Sequence, residues 1–454
     1  MTDRQPRAES PQTRLEQGFE KILTPFQLFV RNQTTSSLLL IIFTLAAMVV
    51  ANSPLADDYR RILQLELGFF VADWSLVLDL KHWINEGLMT IFFFLLGMEI
   101  KREILVGDIR EPRLLLPVFA AAFGGMLVPA TIYYLINVGT PHAHGWGIPM
   151  ATDTAFAIGV LTLLGKRVPA AAFTFLVALA IIDDLGAILV IALFYSGDIN
   201  LVSLGICAIL LGVLICFNRI GIRSPYVYLA VGFFMWVAML ESGVHSTVVG
   251  VLIAATVPAR PKREAGWLVR KASRLIRRFE KIESAKSSSQ PILADARQHA
   301  LVESLQVAAE HASTPLRRWE RELEYPVALL VLPIFAFANA GIELHWQSIE
   351  ASQVGSVTAG VLCGLVLGKC IGIPLFTWLA LRLGWGELPS GVELPHLLGL
   401  GCLGGIGFTM SMFISGLSFD ADVAALASAK LGILLASLLA GCLGYAWLRF
   451  CSNR

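Results

Sequence analysis

The sequence predicts an all-α polytopic membrane protein of 12 transmembrane helices, and three observations carry that prediction. Of 454 residues, 56% are hydrophobic and only 15% charged, whereas soluble domains carry about 25% charge. The mean hydropathy is +0.68. Apolar runs of about the 20 residues that a bilayer-spanning helix needs recur along the chain, separated by polar loops. This composition excludes a typical cytosolic enzyme and a disordered chain. A net charge of +1 gives no field that would draw nucleic acid.

The runs lie near 36–53, 82–99, 114–137, 146–165, 169–195, 201–218, 225–241, 244–258, 325–341, 355–381, 394–417 and 423–448. Placing the N-terminus in the cytoplasm puts 30 of the 35 Lys and Arg residues on that side, as the positive-inside rule requires. A miscount by one span would scramble the asymmetry. Both termini are therefore expected in the cytoplasm. The chain divides into a tail at 1–35, helices 1–8 over 36–258, a charged insert at 259–324, helices 9–12 over 325–448, and a short end at 449–454. The tail is mostly polar, carries Arg4, Arg7, Arg14, Lys21 and Arg31, and does not read as a signal peptide.

Two loops carry further patterns. In the insert, Arg270, Lys271, Arg274, Arg277, Arg278 and Lys281 recur at helical spacing around Trp267, Leu268, Leu275, Ile276 and Phe279. That pattern suits an amphipathic helix at a membrane surface or a solvated extension. Ser287–Ser289 reads as a joint before a second helix at about 293–312. In the external loop 54–81, partial alternation over Leu65–Leu80, around Gly68 and Asp73-Trp74, predicts a short hairpin. His142 and His144 read as polar loop residues. The 7 cysteines show no ligand spacing and read as buried thiols.

The informative residues are charges inside apolar runs. Asp153, Asp183, Asp184 and Lys369 would each be disfavoured by about 2.5–3.5 kcal/mol at a helix centre, so together they point to an ion or proton pathway. Asp183 and Asp184 are adjacent, and adjacent helical side chains diverge by about 100°. They are expected to serve different faces, with Lys369 as the one buried base available to pair. Pro149 and the threonines around Asp153 weaken helix there, and glycines 401, 404, 405 and 407 permit an unwound stretch in another run. Helix breaks inside a membrane persist where they line a cavity or are buried in protein. The expectation is that Asp153 compensates the first break and Lys369 the second. The breaks fall in the fourth and eleventh runs, which cross the membrane in opposite senses. The chain thus reads as two inverted three-helix repeats, 114–195 and 355–448, whose two interrupted helices cross at the midplane.

Several motifs then resemble the NhaA family of sodium/proton antiporters. They are Ala151-Thr-Asp-Thr-Ala-Phe-Ala157, Ala178-Leu-Ala-Ile-Ile-Asp-Asp-Leu-Gly-Ala187, Phe335-Ala-Phe-Ala-Asn-Ala-Gly341, Gly368-Lys369 and Gly405-Ile-Gly-Phe-Thr-Met-Ser411. The likeness covers nearly the whole chain. The resemblance implies that Asp184 is the main sodium ligand and proton carrier, that Asp183 is its accessory exchanging a salt bridge with Lys369, and that Thr152 and Asp153 belong to the interrupted fourth helix. Glu99, Glu103 and His245 match positions tied to pH response, and the external hairpin matches a homodimer contact. The long insert and extended tail are departures that bear on regulation.

The expected activity is electrogenic exchange of Na⁺, or Li⁺, for external protons across the inner membrane, in support of pH and sodium homeostasis. No cofactor is implied, because the metal at Asp183 and Asp184 is transported. Hard cations suit carboxylate, hydroxyl and carbonyl oxygens. Burial disfavours the charged form of a carboxyl, so protons compete with the cation for one set of oxygens. Two other classes use buried acids. An intramembrane aspartyl protease would pair Asp153 with one of the adjacent aspartates and leave Lys369 unexplained. A passive channel would conduct Na⁺ without proton counterflow.

Overall fold

The computed structural model describes residues 33–71, 74–107, 112–263, 265–284, 296–342 and 354–451. The Ser287–Ser289 joint, Asp73, most of the 1–35 tail and the last residues of the 449–454 segment lie outside the described residues. The chain is overwhelmingly helical, and a helix occupies each of the twelve apolar runs.

Helix α1 (Gln33–Ala51) turns by 115° into the short α2 (Ala56–Leu63). Asp57, Asp58, Arg60 and Arg61 make α2 a surface helix rather than part of a span. The predicted hairpin follows. Strands β1 (Glu66–Val71) and β2 (Trp74–Asp79) are antiparallel and pair Glu66 with Asp79 through Val71 with Trp74. The hairpin leaves Phe69 and Phe70 exposed, and the Trp83 indole N–H donates to the Leu67 carbonyl at 2.9 Å. A single wide turn at Trp83–Leu88 leads into α3 (Met89–Val106).

Next come α4 (Pro112–Asn137), a 3₁₀ segment at Pro141–Met150 with α5 (Thr154–Leu163), α6 (Ala170–Phe194), α7 (Leu201–Ile220), α8 (Pro225–Leu240) and α9 (Val248–Thr256). The insert forms α10 (Ala265–Ser284) and α11 (Ala296–Ala312), which supports the two-helix expectation there. Helices α12 (Pro315–Pro326) and α13 (Leu332–Ala340) join through a wide turn, as do α14 (Val354–Cys363) and α15 (Lys369–Arg382). The chain closes with α16 (Leu394–Gly404), α17 (Phe408–Ser418) and α18 (Val423–Cys451).

Among the described residues, 6 helices are long and apolar enough to cross a bilayer, and up to 9 if each bent pair counts as one span. Their outer faces carry exposed Leu193, Leu201, Ile209 and Leu438, apolar surface that suits lipid rather than water. The protein is thus a multi-pass membrane protein. The helices of the other runs are shorter or more charged, for local reasons. Helix α3 carries Glu99, Lys101, Arg102 and Glu103, and α8 and α9 are short.

Small residues set the packing that positions the core. A methyl at Gly124 would collide with the Gly372 carbonyl oxygen, and one at Gly368 would lie 2.6 Å from the Pro129 Cα. Helices α4 and α15 therefore touch backbone to backbone, the approach that small residues permit between membrane helices. The Lys369 stem lies over Gly125.

Candidate functional site

Two helices break near each other. The Pro141–Met150 segment meets α5 at 45°, and α16 meets α17 at 48°. The chain between the first pair is extended at Ala151–Asp153, because Pro149 and two threonines offer weak helix propensity. The second break, Gly405–Gly407, is the unwound stretch expected of its glycines. None of Gly401, Gly404, Gly405 or Gly407 takes a positive φ. They are needed for space instead. A methyl at Gly405 would lie 2.5 Å from the Leu365 carbonyl oxygen, and one at Gly407 would meet the Ser411 hydroxyl.

The breaks are stitched together by backbone and side chain. Asp153 N–H donates to the Ile406 carbonyl at 2.6 Å, and the Thr152 hydroxyl donates to the Gly404 carbonyl at 2.9 Å. Asp153 caps both onward half-helices. Its Oδ1 accepts from Phe156 N–H at 3.0 Å. Its Oδ2 accepts from Thr409 N–H at 3.1 Å and from the Thr409 hydroxyl at 2.6 Å. A carboxylate thus sits where two helix N-termini converge, each carrying partial positive charge.

This corrects the expected division of labour between Asp153 and Lys369. Asp153 serves one end of each break because both N-termini lie within reach of a single carboxylate. Lys369 meets the C-terminal carbonyl of Gly404 only through the Thr152 hydroxyl. Exchanging Asp153 for Asn keeps an acceptor oxygen, whereas Ala removes it. We expect the Asp153→Ala chain to be less stable than the Asp153→Asn chain by about 0.5–2 kcal/mol per helix start, read by thermal unfolding in detergent. Equal midpoints for the two would contradict the double cap.

The remaining charges meet around Thr152. The Lys369 ammonium donates to Asp183 Oδ2 at 2.6 Å and to the Thr152 hydroxyl at 3.0 Å. Asp184 turns away, as helical geometry requires, and its Oδ2 accepts from the Thr154 hydroxyl at 3.3 Å. Asp153, Asp183, Asp184 and Lys369 are 3%, 1%, 3% and 1% exposed. Asp183 Oδ1 and Asp184 Oδ1 are buried without a hydrogen-bond partner. Buried carboxylate oxygens normally find donors, so two without one mark a place built for something else. One ammonium does not neutralise three carboxyls, and the surplus negative capacity suits a small cation or protons.

The other predicted residues make their contacts elsewhere. Glu99 and Glu103 lie on α3 near Arg102, which donates to Glu320 at 2.8 Å. His245 stands 3.6 Å from Glu86 through Nδ1, and its Nε2 lies 2.7 Å from the Tyr195 carbonyl oxygen. Glu86 escaped the sequence reading, although it lies in the 82–99 run. Its carboxylate accepts from the Ser246 hydroxyl at 2.6 Å and from Ser246 N–H at 3.2 Å. Thr409 also escaped, although it stands in the glycine motif. His142 and His144 join the 3₁₀ segment to the far end of α17, through Asp422 at 3.2 Å and the Ser418 carbonyl at 2.6 Å. An apolar recess of about 730 Å³ around Trp83, Phe233, Trp236 and Trp319 includes none of the aspartates or Lys369 in its lining.

Two helix breaks close to three buried carboxyls and one ammonium, in a multi-pass membrane protein, fit a membrane transporter. The comparisons place it more closely. The family described as Na⁺/H⁺ antiporter 1 matches residues 27–448, a range that includes the insert. The Na⁺/H⁺ antiporter NhaA of Sulfurimonas denitrificans is 45% identical over 435 residues, covering 96% of this chain and 97% of its own length. Na⁺/H⁺ antiporter NhaA 1 of Shewanella denitrificans is 46% identical over 440 residues, covering 97% of each. Na⁺/H⁺ antiporter NhaA 1 of Saccharophagus degradans is 44% identical over 443 residues, covering 98% and 95%. The chain belongs to the Na⁺/H⁺ antiporter 1 family, a family of transporters rather than enzymes.

Proposed function

We propose that the chain expels Na⁺, or Li⁺, from the cytoplasm in exchange for a larger number of external protons. The exchange is electrogenic and serves pH and sodium homeostasis at the inner membrane. The observation that carries this reading is the pair of buried, partnerless oxygens on Asp183 and Asp184, beside the hydroxyls of Thr152 and Thr154. Carboxylate and hydroxyl oxygens are ligands for small hard cations, and two carboxylate oxygens without donors suit a cargo that comes and goes.

The cycle follows from competition for one set of oxygens. Protons arriving from outside occupy the carboxyls. The site turns inward, and cytoplasmic Na⁺ displaces them. The loaded site turns outward, and Na⁺ leaves as protons return. Asp184 carries the cation and a proton. Asp183 releases Lys369 when it joins the cation, and the ammonium returns when the cation leaves. Thr152 and Asp153 hold the crossed breaks around the site, which lets their ends move together.

The remaining parts fit this reading. All twelve apolar runs are spans, six of them forming two inverted three-helix repeats, 114–195 and 355–448, with both termini cytoplasmic. Glu99, Glu103 and His245 respond to pH, the last through Glu86. The exposed apolar side chains of the hairpin supply the contact of a homodimer. In everted vesicles that hold an acidic interior, adding NaCl should collapse the proton gradient, read by recovery of a quenched pH dye, whereas KCl should leave it standing. Equal recovery with both salts would contradict the proposal. Na⁺ entry without proton counterflow would favour a channel.

A further inference from the structure

We infer that Cys370 and Cys402 form a redox-modifiable dithiol that staples α15 to α16 beside the ion site, and that closing the staple arrests transport. The inference rests on the antiporter reading for its functional half only. The Cys402 thiol donates to the Cys370 sulfur, and the two sulfurs stand 3.3 Å apart. Both residues are only partly buried, so membrane-permeant reagents can reach them. A disulfide needs an S–S bond of about 2.0 Å, so about 1 Å of sulfur movement closes it.

The two helix backbones approach closely beside the pair. A methyl at Gly401 would be 3.0 Å from the Lys369 carbonyl oxygen and 3.3 Å from the Cys370 Cα. The staple would also join the site through a short circuit. Cys370 follows Lys369, whose ammonium bonds the Thr152 hydroxyl. That hydroxyl bonds the carbonyl of Gly404, on the helix that carries Cys402. Closing the Cys370–Cys402 bond ties off this circuit covalently and restricts the movement of Lys369 relative to α16 when Asp183 exchanges partners.

The oxidant is a hydroperoxide. The Cys370 sulfur attacks the distal oxygen, the O–O bond breaks, and an alcohol leaves, giving Cys370 sulfenic acid. The Cys402 thiol, already in contact, displaces hydroxide from that sulfur. The S–S bond forms and water leaves with the thiol proton, the route by which sulfenic acids condense with neighbouring thiols. Two thiols and one hydroperoxide thus give one disulfide, one alcohol and one water. An added dithiol restores both thiols by exchange and is itself oxidised to a disulfide.

The test uses the full chain in proteoliposomes treated with tert-butyl hydroperoxide, alkylated, and mapped by peptide mass spectrometry. The expected result is a linked 370–402 peptide, sodium-driven proton flux that falls in proportion to the linked fraction, and recovery with dithiothreitol. Cys370→Ser should show neither the link nor the loss. Absence of the link overturns the inference, and so does unchanged flux in the linked protein or an equal fall in Cys370→Ser. The link is read by mass independently of transport. A wild-type protein that links but moves no protons on sodium addition, even untreated, would sink the proposed function instead.

Discussion

Sodium-driven proton flux in vesicles bearing Asp184→Asn should fall to the level of vesicles without the protein. The substitution keeps the shape of the side chain, so folding is spared. It removes the charge that a cation needs and the carboxyl that a proton needs. Asp184 has one weak donor, the Thr154 hydroxyl at 3.3 Å, and one buried oxygen with none. Few native bonds are lost by the exchange, and the thermal midpoint should stay near that of the parent. An amide in place of a carboxylate forfeits an interaction with a charged partner worth about 1.5–3 kcal/mol, or roughly 10–100-fold in affinity. Loss of the proton site removes coupling altogether. Flux that survives Asp184→Asn would take the cargo away from this residue.

Lys369→Ala should weaken the fold more than it weakens the ion chemistry. The ammonium is 1% exposed and holds Asp183 at 2.6 Å. Removing one member of a buried pair leaves an uncompensated charge and destabilises by about 3–5 kcal/mol, whereas replacing both members is often neutral. The double change Lys369→Ala with Asp183→Asn should therefore recover much of the midpoint lost by Lys369→Ala alone, read by thermal unfolding in detergent. A single variant as stable as the parent, or a double variant that loses the sum of both single changes, would show that the two groups do not depend on each other.

Much of this was legible from the residues, for physical reasons that differ by region. Buried charges announce themselves because a hydrocarbon medium rarely tolerates them. Asp153, Asp183, Asp184 and Lys369 therefore stood out, and the structure joins Asp183 to Lys369 as the one available acid–base pairing suggested. The hairpin was legible because alternation at period two survives even in a short loop. The double cap by Asp153 was not, since it depends on where Thr409 arrives, 256 residues away in sequence. Nor was the real use of the glycines, because a sequence does not say whether a missing side chain frees the backbone or admits a neighbour. Glu86 was missed because it stands near the mouth of its run, where a single acid reads as interfacial. Its partner His245 was visible, but the 160 residues between Glu86 and Ser246 hid the cluster.

In the proposed cycle, hydrogen ions and sodium take turns on the same carboxyl oxygens. Purified protein in a weakly buffered detergent solution tests it without vesicles or gradients. Adding NaCl should release protons into the medium, adding KCl should not, and Asp184→Asn should release none with either salt. Calorimetric sodium binding with no proton release from the parent chain would contradict the account.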